Sequence, residues 1–472
     1  VLKAKLGSEA DEGVVLEWQK VAKAVRDTCN RENWMAFQAN LAKGKKLMME
    51  NRQNELWNWL KAFMGRGDKG KCNAQPMRNV DGDLITNPSE VLESWKTHYM
   101  KLLCDPSAKD RQHWEGIPLV EHPPLTSING PIGWKEFHVV VKSLEYHKAA
   151  GEDGLPPEWF KAVLGQKKRG RSGRWQKFKA DKSPMVKACL KVMNCIWEHG
   201  VIPKDFNVVV LVSIPKKGDL TLHDNYRGIS LINVMLKILT SVVIKRIEKE
   251  LEERKFFSKI QAGFRRNEEC VGQVAVLHEI ALRRMAKLKK PMFVVFIDFK
   301  KAYDMVPHEA LFRKLHAAGV KGKALHFIQE LYNGSSVRVR HDGLLSSHIP
   351  VKRGVRQGCP ASPTLFNIFI NDIMQDLEGM GVKVPGLTEV VAGLLFADDL
   401  VALAESVEEM HVVLQRIQCW SDKWGMECGI DKCKVMKIFG DGEELQQHVF
   451  KLGEHEIGFY SSYKYLGIET DP

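Results

Sequence analysis

A chain of 472 residues is too long for one compact core, so two or three domains or subdomains are expected. Its 44% hydrophobic and 27% charged residues exclude a disordered or fibrous chain, and no apolar run approaches the roughly 20 residues that span a bilayer. Lys and Arg number 70 against 58 Asp and Glu, a net charge of +12, which favours a polyanionic partner, nucleic acid before a membrane surface. The 10 cysteines contain no CxxC pair, so neither a zinc site nor a disulfide framework is signalled, in keeping with a reducing compartment. No signal peptide opens the chain. An intracellular location, nucleus or cytoplasm, is expected rather than secretion, and the start "VLKAKLGSEA" reads as a fragment or processed segment.

In chain order, residues 14–64 read as helical, with Trp18, Val21 and Val25, then Trp57, Leu60 and Met64, at helical spacing. A Gly- and Asn-rich loop with a short hairpin follows, then a helix over 88–103. The Pro-rich "IPLVEHPPLTSINGPIG", 117–133, has the character of a linker. Residues 165–182 carry eight basic side chains against one acidic, a composition usual in solvated loops and, less often, in nucleic-acid contacts. From 207 the pattern changes. "NVVVLVSIPK" is strand-like, a long amphipathic helix runs to about 254, and 271–290 form another helix. "MFVVFIDF" is a buried strand, followed by helices through 309–333, a hairpin over 336–354, a helix from 362, an acidic hairpin over 392–404, a helix from 407, and strands near 434–439 and 457–468. The pattern is α+β, with helices packed on one face of an antiparallel sheet.

Chemistry is concentrated at two places. In "AGLLFADDLVALAES", 392–406, Asp398 and Asp399 interrupt an apolar run, as acids at the tip of a hairpin would. Two like charges against a hydrophobic sheet disfavour each other's ionisation, so either the turn is wet or a cation belongs there. About a hundred residues upstream, "FVVFIDFKKAYDMV" ends a buried strand in Asp298, with Asp304 one turn later. Three carboxylates at strand ends make a hard oxygen set suited to Mg²⁺, which keeps waters and binds substrate phosphates. Two such ions about 4 Å apart can clamp an in-line phosphoryl displacement.

The ordered series "LVSIPKKGD", "NYRGISL", "IDFKKAYD", "RGVRQGCPASPTLFN", "LFADD", "CGIDKCK" and "YKYLGI" resembles the fingers and palm motifs of reverse transcriptases, most closely those of non-LTR (LINE-type) retrotransposons. Upstream, "HKAAGEDGLPPEWFK" and "RNVDGDLITNPSEVLESWKTHY" resemble that group's N-terminal motifs, so the resemblance runs from roughly residue 75 onward. It implies a right-hand polymerase architecture: an antiparallel palm sheet backed by helices, after a mainly helical N-terminal extension, with the thumb largely absent. The expected division is 1–130 for the extension and linker, 131–290 for the fingers, and 291–472 for the palm through the primer grip.

The resemblance also implies roles. Asp298, Asp398 and Asp399 match the metal-binding triad for Mg²⁺, with Mn²⁺ as substitute. Lys216 or Lys217, and Arg227, match cations over an incoming deoxynucleoside triphosphate, and Phe299 falls in the same nucleotide-binding segment. Gly228 after Arg227 departs from the commoner Arg-Pro. Tyr303 occupies the position of an aromatic gate against a 2′-OH, Gln357 and Gly358 that of a turn touching the nascent pair or template, and Lys432 that of a lysine protonating departing pyrophosphate. Tyr465, Leu466 and Gly467 resemble the primer grip. The function implied is RNA-directed DNA synthesis from a primer 3′-hydroxyl, with RNA template, DNA primer, RNA–DNA hybrid and deoxynucleoside triphosphates as partners. Two rivals stand beside it: a maturase-like RNA-binding module that no longer polymerises, and a telomerase-like or RNA-templated RNA polymerase with the same acids.

Overall fold

The run "MFVVFI" forms the strand Met292–Ile297, all six residues buried, and in the computed structural model it divides two cores. Phe293, Val295 and Ile297 belong to the larger one, with Leu400, Ala402, Val435 and the helix Val407–Trp424. Met292, Val294 and Phe296 belong to a smaller one, with Val401, Leu403, Met436 and the helix Cys270–Leu288. Because successive strand side chains point to opposite faces, a strand covered on both faces must be apolar throughout. That corrects the expectation of helices on one face of the sheet: Val274, Leu277 and Ile280 cover the other.

The structure describes residues 76–79, 82–104, 114–164, 168–169, 175–176, 183–439, 448–460 and 462–470, and the isolated positions 38, 42, 46 and 50. The expected 14–64 helix therefore lies almost wholly outside the described residues, as does most of the basic run 165–182. Residues 1–73 and 74–472 are separate compact units, and the sheets and the site belong to the second.

Two main sheets are present among the described residues. The six-stranded sheet has the order Gly393–Phe396, Asp399–Ala404, Met292–Ile297, Lys434–Ile438, His455–Phe459, Phe450–Leu452. It is antiparallel except where Lys434–Ile438 runs parallel to His455–Phe459. The five-stranded sheet has the order Ile349–Pro350, Ser336–His341, Val208–Pro215, Tyr226–Leu231, with Leu344–Leu345 paired to Ser336–His341. Val208–Pro215 and Ser336–His341 are parallel neighbours, separated in sequence by several helices, as a parallel pair requires.

The local signals explain the helix starts. Asn87 accepts from the Ser89 N–H at 3.0 Å ahead of Pro88–Leu103, and Asn233 from Leu236 at 3.2 Å ahead of Val234–Glu253. The helix expected from 362 is shorter than its apolar pattern, giving way after Ile370 to a 3₁₀ turn, Asn371–Met374. The Pro-rich stretch at 117–133 is packed rather than linker-like. Leu125, Ile128 and Ile132 are buried, and the His122 and Leu125 N–H groups donate to Ala317 and Gly319 carbonyls at 2.7 and 2.8 Å. Prolines here remove donors that would otherwise need partners, so the segment can lie against the helix His308–Ala317 with only the 3₁₀ turn Ser127–Asn129 as regular structure of its own.

One buried charge is part of this core. Lys314 Nζ donates to the Phe369 carbonyl at 2.5 Å and to Asp372 at 2.7 Å, and lies 3.8 Å from the Trp424 ring centroid. Burial pushes its ammonium pKa down to about 8 despite Asp372. The folded value then lies below the unfolded one, so the group's contribution to stability is present above about pH 10.4 and is lost as pH falls through 8. Urea melts of wild type and Lys314→Met between pH 8 and 10 should show the stability difference moving in favour of wild type as pH rises. A difference independent of pH would contradict this placement.

Candidate active site

The acids are brought together by strand register. In the acidic hairpin Phe396 pairs with Asp399, which leaves Ala397 and Asp398 as a two-residue turn. The neighbouring ladder ends at Leu400 opposite Ile297, and one more step of the same register sets Asp399 opposite Asp298. On the other side of the central strand the ladder includes Lys434 opposite Phe296, and two more steps set Lys432 opposite Asp298. There the side chains meet: Lys432 Nζ donates to both Asp298 carboxylate oxygens, at 3.1 and 3.0 Å. Gly429 holds the base of this contact, its N–H donating to the Asp298 carbonyl at 2.7 Å. A Cβ there would stand 2.8 Å from Asp298 Oδ2, so glycine is what lets the loop pass this close.

The charges feel one another. Burial, with the Asp298 charge adding to it, pushes the Asp398 carboxyl above its usual range. Burial, then Asp398 and Asp298, push Asp399 up to about 6. Lys432 opposes both shifts. This donor set, three hard carboxylates of which Asp398 and Asp399 are disfavoured as anions by burial and then by neighbouring acids, fits a divalent cation. The carboxylates do not stand as a finished cage, however. Among the described residues no group of three or more His, Cys, Asp or Glu side chains is placed to hold a metal ion, and both Asp298 oxygens face Lys432.

Opposite the acids lies a field of cations. Lys216 is pushed below the usual lysine range by burial and then by Arg227, Lys301 and Lys432, and the Arg227 charge reaches Asp398. Lys216 Nζ also donates to the Asp224 carbonyl at 3.3 Å; Lys216 and Lys217 are both exposed residues. The neighbouring Gly228 has a packing reason, since a Cβ would meet the Tyr99 ring and hydroxyl at 3.1 Å. Tyr303 stacks on Phe366 at 4.8 Å, its buried Oη has no hydrogen-bond partner, and burial followed by the Asp398 charge pushes its phenol far up. Gln357 Nε2 lies 3.4 Å from both Asp304 oxygens, and its carbonyl accepts from Ser230 at 2.8 Å. Gly358 has φ +102° with the Ser230 carbonyl beneath it, the close approach that its residue type allows.

Two expected roles are narrowed. The Phe299 side chain is 3% exposed and packs against Trp420 at 5.8 Å, so its ring belongs to the core rather than to a nucleotide surface. Tyr465 is likewise buried, tilted against Phe296 at 5.6 Å, while Leu466 and Gly467, φ +47° and +87°, form the turn joining Tyr463–Tyr465 to Ile468–Thr470. The turn, not the tyrosine, is the presented part.

Sequence pattern does not single out Gln261 and Gly263. Gln261, fully buried, accepts from the N–H of Ala397 at 3.0 Å and of Gly263 at 2.8 Å, bracing the acidic turn where Ala397 has φ +58°. A non-glycine there is costly, and a Cβ on Gly263 would come within 2.1 Å of the Ala397 nitrogen. The available signal is a polar residue and a glycine in "QAGF" between two helices, too weak without the fold. Asp304, pushed up to about 6 by burial against Lys301 and Lys216, is visible in sequence, but its place under Gln357 is not.

Residues 214–470, which include this acid set and the cations around it, match the family described as reverse transcriptase (RNA-dependent DNA polymerase). The chain belongs to that family. It is 28% identical over 287 residues to the retrovirus-related Pol polyprotein from type-2 retrotransposable element R2DM of Drosophila melanogaster, covering 59% of this chain and 26% of that one. It is 28% identical over 296 residues to the Pol polyprotein of the R2 element of Nasonia vitripennis, covering 60% and 28%. It is 26% identical over 351 residues to the RNA-directed DNA polymerase from mobile element jockey of Drosophila funebris, covering 72% and 35%. The matched regions thus span about a quarter to a third of the length of these relatives. No helix among the described residues is long and apolar enough to cross a membrane.

The brace makes a stability test. Gly263→Ala should destabilise by about 1–3 kcal/mol, an overpacking cost. Gly272→Ala, where a Cβ meets nothing within 4 Å, should gain up to about 1 kcal/mol in its helix. Urea melts of the two variants check both signs.

Proposed function

We propose that this chain is the fingers and palm of a LINE-type reverse transcriptase that copies RNA into DNA from a primer 3′-hydroxyl. Fingers at 131–290 and a palm from 291 through the primer grip are part of the reading. The observation that carries it is the convergence of Asp298, Asp398 and Asp399 at one sheet end, facing Lys216, Arg227 and Lys301. Asp298, Asp398 and Asp399 would hold divalent metal, Mg²⁺ or Mn²⁺, which when bound would supply Lewis acidity to the phosphoryl transfer. The chain's own residues do the rest. Lys216 and Arg227 offset the triphosphate charge, Lys432 stands where a proton can pass to departing pyrophosphate, and Tyr303 with Gln357 and Gly358 shapes the space for the nucleotide. RNA template, primer and the resulting hybrid lie across this face, and the Leu466–Gly467 turn supports the primer end.

The maturase-like rival draws on one observation, the Lys432 ammonium occupying both oxygens of Asp298. Primer extension on an RNA template with Mg²⁺ decides between them. Wild type should extend with deoxynucleotides, and Asp398→Ala, Asp399→Ala should lose at least about a hundredfold; no extension by wild type would leave the rival standing.

Sugar choice gives a second measurement. Tyr303→Val should raise ribonucleotide relative to deoxynucleotide incorporation by about tenfold or more. Tyr303→Phe should keep the ratio at no cost in Tm, because the Oη has no partner to lose. An unchanged ratio in Tyr303→Val would reject the gate and favour a purely structural ring.

A further inference from the structure

Lys301 is a fourth cation at the site, and neither its motif nor the roles above account for it. It follows Asp298 by three residues and has φ +47° at the start of the short helix Ala302–Met305. Its carbonyl accepts from the Asp304 and Met305 N–H groups at 2.8 and 3.1 Å. A bulky residue in the left-handed region is strained unless its surroundings impose it, so the backbone of Lys301 is held firmly from below. Its side chain is 28% exposed, and its Nζ donates at 2.6 Å to Asp224, whose side chain is 74% exposed. Asp224 lies on the 3₁₀ turn His223–Asn225 between the paired strands Val208–Pro215 and Tyr226–Leu231.

The two partners of this pair are thus unequal. Lys301 is anchored and largely shielded, whereas Asp224 is presented to water and recovers its hydration on release at little cost. The same Asp224 residue also holds Lys216 through its carbonyl. One exposed residue therefore occupies two cations of a cluster that also includes Arg227 and Lys432. A single carboxylate is a weak match for that concentration of positive charge; a triphosphate, with several charges and many acceptor oxygens, is a much better one.

We infer that Lys301 binds the triphosphate of the incoming nucleotide, and that Asp224 is a placeholder carboxylate which the triphosphate displaces from it. The inference rests on the nucleotide-site reading proposed above and names a further residue of that site. Asp224 weakens nucleotide binding by competing for Lys301, and keeps the lysine oriented when no nucleotide is present. The alternative is that the pair only ties the 223–225 turn to the segment after Asp298.

Calorimetric titration of the full chain with inorganic tripolyphosphate and, separately, with dTTP in Mg²⁺ distinguishes these. Asp224→Asn, an exposed near-isosteric change, should tighten both ligands about two- to fivefold. Lys301→Met should weaken both about tenfold or more, and adding Asp224→Asn to Lys301→Met should then change nothing. A tie between segments predicts instead that Asp224→Asn lowers Tm and leaves or weakens binding, which would overturn the inference even if Lys301→Met proved too unstable to use. Wild type that binds both ligands with these variant effects, yet copies no RNA, would retain the inference and reject polymerisation. Wild type that polymerises while both variants bind as it does would do the reverse.

Discussion

A strand buried on both faces has nowhere along its length to carry a charge, and Met292–Ile297 is such a strand. The first acidic residue is the one just past its end, Asp298, and the site grows from that constraint. On one side the strand Asp399–Ala404 is apolar after its first residue, which puts Asp399 at this end; on the other, the segment before Lys434–Ile438 brings Lys432 to the same end. The sheet registers act as a ruler that sets these groups opposite one another. Concentrating the acids has an electrostatic cost, visible in the raised Asp398 and Asp399 carboxyls, and Lys432 offsets part of it.

Backbone rather than side-chain volume does much of the positioning. Gly429 brings its loop against the Asp298 carboxylate, Gly263 brings another against the acidic turn, and Gly358 lays a third across Ser230. At the first two points a methyl group would occupy space already taken by a carboxylate oxygen or a main-chain atom, and at the third the positive φ is what calls for glycine. The acids are thereby held by two chain crossings from different parts of the sequence, at Gly429 and Gly263.

Much of this was legible from residues alone because periodicity and charge coincided. The buried strand at 292, the acidic hairpin, the helix over 88–103 and the ordered motifs all stand in the structure where their patterns place them. What was not legible depended on contacts between distant segments. The two-sided burial of the sheet required knowing that 274–281 covers its second face. Phe299 and Tyr465 read as site aromatics because motif position does not reveal which way a ring turns, and both rings turn inward. The Pro-rich stretch at 117–133 read as a linker because its partners, Ala317 and Gly319, lie almost two hundred residues away. Gln261 and Lys301 were silent for the same reason: each acquires its meaning from a residue that no local pattern connects to it.

The brace on the acidic turn also bears on how the chain reaches its native state. Gln261 and Ala397 are 136 residues apart in sequence, so the strained turn, closed locally by the Phe396–Asp399 pair, takes its brace from a distant segment. Closing so long a loop is slow compared with forming a hairpin or a helix. The secondary structure around the acids can therefore assemble well before their final geometry does. During synthesis the nascent chain has the strand that ends in Asp298 long before it has the turn that completes the cluster. The contact that braces the acidic turn is thus among the long-range ones of the fold, set by a segment 136 residues from the turn it supports.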